Sequence, residues 1–186
     1  MVYCETIEES KTWVCPKTGV WKVICVGGGG AGLSYISDTQ SDVGAAGGST
    51  SFGSILSALG GMSGADVNKN KKTCRVISAS FWSEAMGING YNGAAAYGTP
   101  SGDFIGTGYG ASGGASFSTI SSNVRVYNSG LPGDVKSVIT DISEGTSIAC
   151  TIGAGGEVTA NGNNANIIAF PGKSGAIIVQ YLGSEM

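Results

Sequence analysis

Histidine is absent from this chain of 186 residues, which removes every Ser-His and Cys-His arrangement for nucleophilic catalysis. Charge is scarce as well. Charged residues make up 12% of the chain, 10 basic against 13 acidic, for a formal net charge of -3, so there is no basic footprint for nucleic acid. No apolar run approaches the roughly 18 residues that span a bilayer. The opening, MVYCETIEESK, has neither the basic nor the apolar region of a signal peptide, so folding in the cytoplasm without membrane insertion is expected. Cys4, Cys15, Cys25, Cys74 and Cys150 are odd in number, widely spaced and free of any C-x-x-C pair. That pattern argues against a disulfide framework or a zinc site and for reduced, mostly buried thiols acting as small hydrophobes. Carboxylates are few. The closest sets, Glu8 with Glu9 and Asp141 with Glu144, fall in a terminus and a turn, which leaves two carboxylates meeting from distant strands as the remaining acid–base arrangement. The expectation is a chain that is not an enzyme, with no cofactor and no metal.

What the chain has in excess is glycine, 33 residues of 186, against an average near 7%. A glycine inside regular structure costs about 0.5–1 kcal/mol relative to alanine, so the total penalty is on the order of 15 kcal/mol. Something requires backbone without side chains. Two arrangements meet that need: loops that use positive φ, or extended left-handed glycine helices of the polyproline II kind that pack together because no Cβ holds them apart.

The rest of the chain speaks the language of strands. Thr12–Cys15, the turn Pro16-Lys17-Thr18-Gly19 and Val20–Val26 read as a β-hairpin. Both faces of the second strand are apolar, with Lys22 the one polar residue, which places that strand in the interior. Near the other end Asp134–Ile142, Ser147–Gly153, Ala165–Phe170 and Gly175–Gly183 are four further short strand candidates. Arg75–Ser83 and Asn123–Tyr127 interrupt the glycine-rich middle. A sustained helical period is missing except for a weak turn at Ser54–Leu59. The simplest reading is one all-β domain over 1–186. It is a β-sandwich of jelly-roll-like character, with strands mainly in 1–26 and 134–186 and a glycine-rich loop or polyglycine-helix insertion over 27–133. Trp13, Trp21, Val23, Ile24, Ile148, Ile152, Ile177 and Val179 are its expected core.

Two motifs invite chemistry and fail on context. KVICVGGGGAGLS (Lys22–Ser34) ends a strand in G-x-G-x-x-G at Gly27, Gly29 and Gly32, the pattern of a dinucleotide-binding turn. That turn works when a helix starts within the glycines, whereas Gly44, Gly47, Gly48 and Gly53 stand where the helix and second strand belong. A dinucleotide enzyme therefore stays a remote third hypothesis. Asp66–Asn70 matches the first half of a calcium loop, but Lys71 stands at its glycine and Ile77 at its glutamate position, so it reads as a solvated turn. The run Lys69–Lys72 reads as a solvent-facing tip. Tyr91, Tyr97, Phe104 and Tyr109, with Asn92 beside them, stand in the glycine tract. Tyrosine among Gly, Ser and Asn is the composition of adaptable binding loops, and these five are the candidate ligand-binding residues. The plainer alternative is that the rings cover glycine backbone.

The order of these pieces carries a resemblance. T-W-x-x-P-x-x-G-V-W-K-V-x-x-V-G-G-G-G-A-G (Thr12–Gly32), STSFGSILSALGG (Ser49–Gly61), SIACTIGAGG (Ser147–Gly156) and GKSGAIIVQYLG (Gly172–Gly183) together resemble the glycine-rich domain at the ends of bacteriophage tail fibres and related adhesins. The resemblance implies a sandwich with a glycine-rich cap and a role in host attachment. Its partners would be a bacterial surface glycan or protein and other virion proteins, and it would be located in the virion. It also admits a homotrimer, although no heptad or symmetric seam is visible. The rival within the same setting is a capsid or tail decoration protein that binds only other virion subunits.

Overall fold

A computed structural model describes residues 3–37, 40–64, 95–97, 108–117, 126–161 and 167–184. The architecture is all-β, with most strands in antiparallel sheets. The first sheet comprises β1 (Cys4–Ile7), β3 (Gly19–Val26), β11 (Val135–Ile142) and β15 (Ala176–Gly183), in the order β1-β15-β3-β11. The second comprises β2 (Lys11–Val14), β6 (Thr50–Phe52), β7 (Leu56–Ala58) and β12 (Ser147–Thr151), in the order β2-β12-β6-β7. Alternation along the strands explains how they pack. Trp21, Val23 and Cys25 of β3 and Ile177 and Val179 of β15 share one core with Trp13, Phe52, Ile148 and Cys150 of the second sheet, because residues two apart point the same way. Of the eight expected core residues, Ile24 lies instead in a small cluster with Val26, and Ile152 is half-buried at the margin of the main core.

The expected hairpin does not form. The two runs are strands, but β2 pairs with β12 and β3 pairs with β11 and β15, so Pro16–Gly19 carries the chain from one sheet to the other. A turn signature specifies reversal of the chain and says nothing about which sheet receives it. Gly19 is needed there: at φ +150° a Cβ would strike the carbonyl of Gly183 and the ring of Tyr181. Ser54–Leu59 is likewise not helical. A turn with Gly53 at φ +52° leads into β7, which pairs back on β6.

β3 ends at Val26, and the chain continues directly into the segment 27–32. Its six N–H groups are bonded in rotation to three neighbours at 2.9–3.0 Å. Gly27 and Gly30 donate to Asp134 and Leu131, Gly28 and Ala31 to Gly48 and Ala45, and Gly29 and Gly32 to Lys173 and Phe170. Its carbonyls are taken by three others: Gly61 and Gly64 donate to Gly28 and Ala31, Gly156 to Gly29, and Gly113 to Gly30. One segment thus sits among six, with the partner recurring every third residue. The six also bond to one another, as in Gly47 to Gly61, Gly48 to Ala154, Gly130 to Gly113, Leu131 to Met62, Gly172 to Gly156 and Lys173 to Ala111. Spacing this tight demands glycine, since a Cβ on Gly28, Gly29 or Gly30 would collide with the carbonyls of Ala154, Ala111 and Met62 respectively.

Past the bundle lie two more sheets. The third contains β4 (Leu33–Ser37), β5 (Gln40–Gly44), β10 (Val126–Asn128) and β13 (Val158–Asn161), in the order β10-β4-β5-β13. The fourth contains β8 (Ala95–Tyr97), β9 (Ala115–Phe117) and β14 (Ile167–Ala169), with β8 and β9 parallel. The molecule therefore has a polarity. The first and second sheets stand at one pole, where Tyr3 and Tyr181 meet, the glycine segments lie in the middle, and the third and fourth sheets lie beyond them.

Candidate functional site

The five candidate ligand-binding residues fare differently. Tyr91, Asn92 and Phe104 lie outside the described residues, as do Arg75–Ser83, Asp66–Asn70, Lys69–Lys72 and Cys74. Tyr97 closes β8 and stands opposite Phe117 of β9 in the ladder. Tyr109 is fully placed. It packs, as do Val135 and Ile178, against Ile24 and Val26 on the outer face of the first sheet, and its hydroxyl donates to the Glu8 carboxylate. That hydrogen bond, with burial adding to it, holds the Tyr109 pKa above its ordinary value. Tyr97 and Tyr109 are not neighbours: one lies in the fourth sheet beyond the bundle, the other at the boundary of bundle and first sheet.

Toward the pole of Tyr3 and Tyr181 the strands fix their neighbours closely. The Glu5 carboxylate on β1 accepts from Lys11 Nζ at 2.6 Å, from the Tyr3 hydroxyl at 2.6 Å and from Trp13 Nε1 at 3.1 Å, which ties β1 of the first sheet to β2 of the second. Lys11, followed by Tyr3, holds the Glu5 carboxyl below its usual pKa. Behind the clasp Trp21 is fully buried. It meets Tyr3, Trp13 and Tyr181 edge-on, with ring centroids 5.2–5.3 Å apart. The sequence reading singled out Trp13 and Trp21 for the core but not Glu5, because a lone glutamate in an acidic opening carries no spacing signal.

The glycine motif at Gly27, Gly29 and Gly32 has a clear local outcome. The chain enters β4 at Leu33 rather than a helix, and every N–H from Gly27 to Gly32 is committed to another backbone carbonyl. A phosphate held at such a turn needs those donors free. Cys15, Cys25 and Cys150 are buried free thiols and Cys4 is an exposed one. Burial, with Cys150 nearby, pushes Cys25 up to about 12, so its reactive thiolate form is suppressed. Among the described residues, no cluster of three or more His, Cys, Asp or Glu is placed to hold a metal ion.

Comparison with protein-family models, curated proteins and solved structures finds no match.

Proposed function

We propose that the chain is a tail-fibre or virion-associated adhesin module that binds a receptor on a bacterial surface. In this reading the first and second sheets form a β-sandwich, and the bonded glycine segments are polyproline II-type helices packed side by side. What supports it is the three-residue recurrence of backbone partners around Gly27–Gly32, since three residues per turn is the repeat of that helix. Pro132 and Pro171 fit the same repeat. Each lacks an N–H and stands between residues whose amides point into the bundle, namely Leu131 with Gly133 and Phe170 with Gly172, and its fixed φ suits the extended helix.

A framework of this kind holds chain ends rigidly without spending side chains. The segments 65–94, 98–107 and 118–125, which contain Tyr91, Asn92 and Phe104, lie in the sequence between described residues of the bundle and of β8, β9 and β10. Binding loops on a rigid scaffold are the usual division of labour in recognition proteins, and a glycan or protein surface is the target that tyrosine and asparagine suit. Tyr109, fastened to Glu8 and packed on Ile24, serves in this reading as the pin where the 98–107 connection rejoins the scaffold.

The decisive experiment measures binding of labelled protein to a panel of bacterial surfaces and to a glycan array. A folded variant with Tyr91, Asn92, Tyr97 and Phe104 all changed to alanine is expected to lose binding. Unaltered binding by that variant removes the site, and binding to virion subunits alone favours the decoration-protein alternative.

A further inference from the structure

The two flanks where the first and second sheets meet are built in opposite ways. On one flank, β1 and β2 are closed by the clasp of Glu5 with Lys11, Tyr3 and Trp13. The other flank is formed by β11 and β7, which pack beside each other, and among the described residues it carries exposed apolar side chains together with Lys136 and Asp141. β11 has β3 as its one strand neighbour among the described residues. It is eight residues long, whereas the other edge strands of these sheets, β1, β2 and β7, have four, four and three. Its register with β3 runs unbroken from Val135 to Ile142, without bulge or proline. A long, straight, unpaired edge is a template for another strand, and proteins normally shorten, bulge or charge such edges.

Exposed apolar side chains gather on the same flank. Ile139 on β11 is 49% exposed, and Ile55 and Leu59, which bracket β7, are 41% and 59% exposed. Leu59 is fixed next to the start of β11, because its carbonyl accepts the Asp134 N–H.

We infer that this flank is where a second copy of the chain docks, through antiparallel pairing of β11 with β11 about a two-fold axis at Ile139. A two-fold perpendicular to the sheet keeps inward side chains facing inward, so paired residues have the same parity and the strand must be read against itself. Centred on Ile139, the outer face brings Ile139 against its own mate and Ser137 against Asp141 of the second copy. On the inner face Val138 meets Thr140 and Lys136 meets Ile142, and Glu144, in the turn two residues past the end of β11, follows on the Lys136 side of the pairing. The exposed isoleucine is thus covered by itself, and the charges at the two ends of the strand are complementary. Two first sheets become one eight-stranded sheet, and the apolar ends of β7 approach each other beneath it. An edge contact of this size belongs to the weak class of interfaces, so the dimer is concentration-dependent. The pairing stands independently of what the outer loops bind.

Sedimentation equilibrium of the full chain up to about 1 mM tests this. The expected result is a monomer–dimer equilibrium, weakened at least ~10-fold by Ile139→Glu. Lys136→Glu weakens it as well, by placing like charges near each other, and the double variant Lys136→Glu with Glu144→Lys restores it. All three positions are solvent-exposed, and circular dichroism verifies that each variant is folded. A chain that stays monomeric throughout, a trimer, a dimer indifferent to Ile139→Glu, or a double variant that fails to restore association would each overturn the inference.

Discussion

The two halves of the spine from Gly19 to Gly32 exclude water by different means. From Gly19 to Val26 the interior is made of side chains, with Trp21, Val23 and Cys25 meeting Phe52, Ile148 and Ile177. From Gly27 to Ala31 the chain is just as buried, yet no side chain there is larger than a methyl group, and what fills the space is other backbone. A side-chain core tolerates exchange of volume, because neighbouring rotamers adjust. A backbone interior cannot adjust in that way, because each added atom displaces a carbonyl that is already bonded. The comparison explains why the chain bears the entropic cost of so many glycines. They are the condition for main chain to serve as its own packing material.

Substitution in the bundle is the strongest way to break that comparison. Gly29→Val or Gly30→Val places a side chain against the carbonyls of Ala111 or Met62. The expected loss exceeds about 5 kcal/mol, as large as the whole stability of many domains, and the measurement is soluble yield followed by thermal unfolding. If the bundle is as cooperative as the strands, native-state amide exchange also finds Gly28–Gly30 as protected as Val23 and Ile24. Next comes Trp21→Ala in the strand half. It removes a fully buried ring with three aromatic neighbours and costs about 3–5 kcal/mol by denaturant titration, while leaving a folded chain at low temperature.

A gentler test uses a glycine whose role is conformational and not spatial. Gly145 has φ +78° with nothing near its missing Cβ, so Gly145→Ala is expected to cost only about 1–2 kcal/mol. A loss there equal to that at Gly29 would dissolve the distinction between crowding and backbone strain. The smallest effect belongs to the clasp. The folded Glu5 carboxyl titrates below its ordinary value of 4.5. Its contribution is therefore complete above that value and fades as pH falls through it toward the lowered folded value. Glu5→Gln should flatten the pH dependence of stability in that acidic window, by no more than about 1 kcal/mol for so exposed a group.

The strand half was legible from sequence because β-branched and aromatic residues form nearly continuous runs there, as in VWKVICV and AIIVQYLG. Pairing was less legible, since nothing in TWVCPKTGV tells the first run to join β12 instead of β3. β4 and β5 carry little strand signal, because LSYIS follows a glycine run without regular alternation and QSDVG is mostly polar, so their strand character comes from the neighbours they pair with. The glycine count announced close backbone contact. The identity of the six segments around Gly27–Gly32 could not be read in advance, because glycine carries no side chain whose pattern would encode a partner. Tyr109 shows the same limit in the candidate site. Composition marked it as a binding-loop tyrosine, and its hydrogen bond to Glu8, a hundred residues away in the chain, has no local signature.

A backbone-filled interior also changes how stability should respond to temperature. Unfolding a side-chain core uncovers apolar surface and raises the heat capacity, whereas uncovering peptide groups lowers it. In this chain a large share of what unfolding exposes is peptide. Calorimetry should therefore find a heat-capacity increment below the usual value of about 12–15 cal/mol/K per residue. The stability curve would then be broad and shallow, changing little between cold and warm surroundings.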